Sequence, residues 1–225
     1  MIESAITWLV RCLAPLLGAG ILFLTVPKLF RPPPRGLPAG QRLPGVSLEV
    51  AKNAEEAADI ITNVPRPTHE IRRELRLDQY LIIPLYVLLF VALGVWLTSR
   101  RLPLAGGLGV AVCVLIGLAA YFDGQENRRT FYVLDALDAG SLKNSPVEQM
   151  RRASLLKWGF IAAALGVVSV AFFLSGRCLV VAFIYLLAAL SFAIGISLYR
   201  PGLEWGFALM GLALLPTGEA IHFIP

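Results

Sequence analysis

Apolar residues along this chain run in blocks of about twenty, a length that crosses the hydrocarbon core of a bilayer as a helix. Nearly uncharged blocks lie at 12–30, 79–98, 103–122, 159–175 and 178–198, and each predicts a membrane-spanning helix. A shorter block, 203–216, reaches only about 21 Å at helical rise. Carried on to 224 it crosses, with Pro216, Gly218 and Glu219 inside it. The pattern therefore predicts an all-α fold, a polytopic transmembrane helix bundle of about six spans. Five spans plus a re-entrant tail is the alternative.

The polar segments between the blocks carry their own signals. Residues 31–45 hold five prolines and three glycines, which read as an extended linker. Residues 46–50 have strand character but no partner strand. Asn53 with Glu56 three residues on forms a capping-box pattern that predicts a helix over 54–62, with Ala57, Ile61 and Val64 on one face. Pro65 and Pro67 end it, and a new helical pattern runs unbroken from His69 into the second span. The few residues around Arg100 and Arg101 make the second and third spans antiparallel neighbours. The third continues past its apolar block, with Gly140 as a C-cap. Ser145-Pro146-Val147-Glu148 is a second capping box, with Ser145 as the cap, and leads into the fourth span. The chain thus divides into a first span (1–30), a cytoplasmic linker with a short amphipathic helix (31–77), and a bundle (78–225) with a helical hairpin near 123–157.

Composition agrees. Of 225 residues, 57% are hydrophobic and 16% charged, against about 25% charged in soluble domains. The net charge of +5 would suit nucleic acid, but its placement points to a bilayer. Sixteen of the twenty basic residues fall in the connections after the first, third and fifth spans. The positive-inside rule places those connections in the cytoplasm and both termini outside. Trp8 and Trp96 then fall at the outer level, Trp158 and Trp205 at the inner. Anionic headgroups, not nucleic acid, account for the basic surplus. Cys12, Cys113 and Cys178 lie in or beside apolar blocks without metal-ligand spacing and read as small packing residues.

One stretch is out of keeping with the apolar blocks. Asp123, Glu126 and Asn127 close the third span, and each unpaired charge in the apolar zone costs roughly 3 kcal/mol or more. Asp78 opens the second span and Lys157 the fourth, so topology brings Asp78, Asp123, Glu126, Asn127 and Lys157 to one depth at the inner mouth of the bundle. A stripe of Gly109, Cys113, Ile116, Ala120, Asp123 and Asn127 follows one helical face. Ala162 with Gly166, and Ser191 with Gly195, repeat the small-xxx-small spacing of close helix packing. The polar layer reads as a clamp in which Lys157 and nearby arginines neutralise the acids. Its other reading is a site for a divalent cation, a headgroup or a polar substrate, since hard cations take several oxygen ligands.

The segments LEVAKNAEEAADII, LRLDQYLIIPLY, AYFDGQENRRTFYVLDAL and LLKW, roughly 47–158, resemble a group of bacterial multi-pass integral membrane proteins of no known activity. That group shares an LE-x-A segment, an Asp opening one span, D-x-x-E-N closing the next and a Lys opening the one after. The resemblance points to Leu48, Glu49, Asp78, Asp123, Glu126, Asn127 and Lys157, and implies a bacterial inner-membrane location.

No phosphate loop, zinc motif, Ser/His pairing or thiol pair accompanies these residues, and no cofactor is implied beyond a divalent cation at the acids. The reading that follows is a scaffold or accessory subunit of a membrane assembly, with a membrane-protein partner or a second copy of the chain. A small carrier with an acidic, cytoplasm-facing site is the alternative. A metal-dependent intramembrane lipid-modifying enzyme is the second.

Overall fold

The structure, a computed structural model, describes residues 2–35, 37–63, 68–102 and 104–224, with the Ile2 side chain left out. The expectations for Val64, Pro65, Pro67 and Pro103 lie outside the described residues. Among those described, six helices are long and apolar enough to cross a membrane. They are α1 (Ile2–Leu29), the continuous helix Thr68–Thr98, α6 (Ala105–Asp138), α7 (Asn144–Ser175), α8 (Leu179–Ser197) and α9 (Pro201–Ala220), which a 3₁₀ turn extends to Phe223. The second is α4 (Thr68–Leu77) and α5 (Ile83–Thr98) joined by a π-helical turn, Asp78–Ile82. Shorter helices α2 (Pro44–Glu49) and α3 (Ala54–Asn63) precede it. The tail is one continuous helix through Pro216, so the six-span form of the bundle is the one adopted.

Each long helix packs beside two others. Sequence neighbours pair from α5 to α9, and α1 packs between α9 and α5 to close the ring. Glycines set the closest crossings. A Cβ on Gly94 of α5 would stand 2.6 Å from Cys113 Sγ and 2.7 Å from the Gly109 carbonyl of α6. A Cβ on Gly18 of α1 would likewise stand 2.7 Å from the Gly211 carbonyl of α9. Ser191 donates to the Gly202 carbonyl at 2.9 Å where α8 meets Gly202 near the start of α9. Gly166 departs from its expected packing role, for a Cβ there would meet nothing within 4 Å.

At one end, α6 and α7 run past the bundle and form a second small core with α2 and α3. Leu48, Ala57, Ile60, Val133, Val147 and Met150 are buried together there. The linker and the hairpin, separate in the sequence reading, are therefore one packed unit. Residues 46–50 are not a strand: Pro44 opens a helical turn through Glu49 that buries Val46, Ser47 and Leu48. With no partner strand, a helical turn satisfies its own backbone groups.

Asn53 caps α3 as expected, its Oδ1 accepting the Glu56 N–H at 2.8 Å. Glu56 returns a bond from the Lys52 N–H and pairs with Arg200 at the start of α9. Gly140 takes a positive φ of 65° beyond α6, and the Ser141 N–H bonds the Ala136 carbonyl, the geometry of a Schellman end. Ser145 is not a cap. The helix starts a residue earlier, Ser145 instead accepts from Gln149, and Glu148 pairs with Arg152. Asn144, at that start, accepts the Ala54 N–H of α3. Of the tryptophans assigned to interface levels, Trp96 and Trp158 are buried while Trp8 and Trp205 are exposed. Cys113 and Cys178 pack within the protein, whereas Cys12 is exposed.

Candidate functional site

The polar layer lies where the bundle meets the second core. Helix α6 passes through it with Asp123, Glu126, Asn127 and Thr130 at spacings of three, four and seven, one face of a helix, and all four are buried. Helix α7 brings Ser154, Lys157 and Trp158 to the same level on a second buried face. From the other side comes Asp78, at the start of the π-helical turn, where the Ile83 N–H bonds the Asp78 carbonyl. Glu49, the last residue of α2, arrives from above.

Lys157 is the hub. Its Nζ pairs with Glu126 Oε2, with Glu49 Oε2 at 3.0 Å and with Asp123 Oδ1 at 3.2 Å. It also stands 4.2 Å from the Trp158 ring centroid, within cation–π range. Glu49 is held by more than the ammonium, since Trp158 Nε1–H and Ser154 O–H donate to the same Oε2 at 3.1 and 3.2 Å. Asp123 accepts from the Tyr86 hydroxyl at 3.0 Å. Asn127 donates to Asp78 at 2.9 Å. Trp158 in turn stacks on Phe192 and meets Phe207 edge-on, so the aromatic core of α8 and α9 fixes the ring beneath the lysine.

All five residues expected at one level, Asp78, Asp123, Glu126, Asn127 and Lys157, are thus brought together, in two groups: Lys157 with Asp123 and Glu126, and beside them the Asn127–Asp78 pair. Four participants escaped the spacing argument. Tyr86, two helical turns beyond Asp78, and Ser154, three residues before Lys157, carried the signal of sharing faces with those residues, while Trp158 was marked only as an interface tryptophan. Glu49 had no such signal in its own neighbourhood and was marked only by the resemblance. The arginines expected to help neutralise the layer are committed elsewhere: Arg72 to Asp135 and Asp138, Arg129 to Gln149, Arg152 to Glu148 and Arg200 to Glu56.

Chemically, the hub does not resemble a metal centre. The lysine ammonium stands where the three carboxylates converge, and it competes for the oxygens a hard cation would use. Among the described residues, no group of three or more His, Cys, Asp or Glu side chains is arranged to hold a metal ion.

Alongside the layer is a cavity of about 430 Å³, within the roughly 300–1,000 Å³ of small-molecule sites. Five of the six long helices line it, α8 excepted. Leu17 and Ile21 of α1, Phe90, Ile161, Met210 and Leu214 form apolar walls on one side of the polar layer, and Leu48, Ile71 and Leu75 line it on the other. A second buried acid sits apart. Glu204, at the start of α9, accepts the Arg42 and Leu43 N–H groups at 2.7 Å each and ties the linker to the bundle. Compared with protein-family models, with curated proteins and with solved structures, the chain matches none of them.

Proposed function

We propose that this is a multi-pass protein of the bacterial inner membrane, with its long connections cytoplasmic and both termini outside. We further propose that it binds an amphipathic molecule and acts as a small carrier. The cavity carries this reading: the polar layer borders a partly open, largely apolar cleft of small-molecule size between five long helices. A clamp serving only to fix helix register has no need of such a space, and packed interiors seldom leave one. The positive-inside distribution supports the orientation, and the likeness to bacterial membrane proteins supports the location.

The scaffold reading keeps one observation in its favour. Lys157 joins segments more than a hundred residues apart, Glu49 being 108 positions away, and such a knot would hold a scaffold rigid. Gly20 separates the two. It lines the cavity, and a Cβ there meets nothing within 4 Å, so Gly20→Trp should shrink the cavity without disturbing the charges. Protein purified in a mild detergent, wild type and Gly20→Trp, would be analysed by mass spectrometry for co-purifying lipid or small molecules. The carrier reading expects a bound molecule in the wild type that Gly20→Trp loses. An identical bound complement in the two, with both folded, would leave the scaffold reading.

A further inference from the structure

Resting on the reading that the cavity is a binding site, we propose that its ligand is a lipophilic organic cation, an apolar body bearing a positively charged centre. Two independent features carry this. The first is the apolar wall, built by residues such as Ile21, Phe90, Ile161 and Met210, which gives a bare hydrated ion nothing to gain. The second is the charge of the lining. Glu49, Asp78, Asp123 and Glu126 gather around the cavity, and among its described lining residues Lys157 is the single basic one. Asp123 adds a geometric pointer: its side chain is 7% exposed, and its Oδ1 accepts no hydrogen bond, meeting Lys157 only as an ion pair at 3.2 Å.

Carboxylates in surplus against an apolar wall are held at a cost unless a proton or a cation meets them. A ligand with an anionic headgroup would deepen that cost. A cation with an apolar body relieves it at one end and buries hydrophobic surface at the other.

Tetraphenylphosphonium and tetraphenylborate, alike in shape and opposite in charge, test this directly. Binding of each would be measured by equilibrium dialysis to the full chain purified in a maltoside detergent, with folding of every variant checked by thermal melting. The expected result is saturable binding of the phosphonium and none of the borate. Asp123→Asn should weaken the phosphonium about tenfold, the value of one lost charged contact, and Gly20→Trp should abolish it with all charges in place. Borate binding that Gly20→Trp removes would overturn the cation assignment while leaving the cavity a binding site. Absence of saturable phosphonium binding would also overturn the assignment, and protonation would then be what meets the surplus acids. In that case the co-purification comparison decides separately whether the binding-site reading falls with it.

Discussion

Lys157 is the side chain on which the polar layer depends. Buried with three carboxylates around it, it differs from one half of a simple ion pair. Removing one partner of a buried pair costs about 3–5 kcal/mol, because the remaining charge is left without compensation. Lys157→Met should therefore lower the melting temperature and folded yield in detergent sharply. In a two-member pair, the double substitution with the acid would restore both. Here Lys157→Met combined with Asp123→Asn still strands Glu49 and Glu126, so recovery should be partial, and the addition of Glu126→Gln should recover more. Full recovery in the first double variant would show that a single pair accounts for the stability. The shared level of these residues in the bundle was legible, because each lies a countable distance from the end of an apolar block. Their exact partners were not, because a shared level leaves the rotation of each helix open.

At the scale of elements, the two capping-box patterns had different fates, and stability should record it. Asn53 makes its bond to the Glu56 N–H, so Asn53→Ala should cost about 1 kcal/mol, measurable as faster hydrogen exchange across α3. Ser145 caps nothing, and Ser145→Ala should leave the melting temperature nearly unchanged. A drop for Ser145→Ala equal to that for Asn53→Ala would contradict the observed helix start. The motif identifies residues able to cap; where the helix begins is decided by packing of its buried face, here Val147 and Met150 in the second core. The Glu56–Arg200 tie adds a pH dependence outside the spans. Burial alone would raise the Glu56 carboxyl, but the Arg200 and Lys52 bonds outweigh it and hold the group below its usual value of 4.5. A depressed folded value means stabilisation that is complete above the ordinary carboxylate range and lost as pH falls through the depressed one. Proteolysis of α3 should accelerate below about pH 4.5 in the wild type and show a weaker acid dependence in Glu56→Gln.

For the molecule as a whole, an even number of spans returns both ends to one side. Alkaline phosphatase fused after residue 225 should be active in a bacterial host, and a fusion near residue 140 inactive. The reverse pattern would invert the proposed orientation, and with it the side from which the polar layer is reached. Closure of the ring makes a second whole-molecule prediction. Since Gly18 and Gly211 let α1 seat on α9, Gly18→Leu should unseat α1 and collapse or open the cavity. The resulting loss of the co-purifying ligand should match that of Gly20→Trp, with a larger fall in stability.

The amino-acid sequence by itself determined the class of fold, the position of the spans, the distribution of charge between the two sides and the level at which the acids and Lys157 meet. These follow from transfer free energy and backbone geometry, which act within a helical block or a few residues of its ends. Only the tertiary structure decided that 44–49 is a helical turn, that α1 closes the ring between α9 and α5, and that Glu49 reaches Lys157 from 108 positions away. Only there does the cavity exist, since its walls come from five separate helices. Local periodicity tells which face of a helix is apolar. It does not tell which other face it meets, because every apolar face gains similarly from burial and the choice rests on shape, the glycine contacts above all.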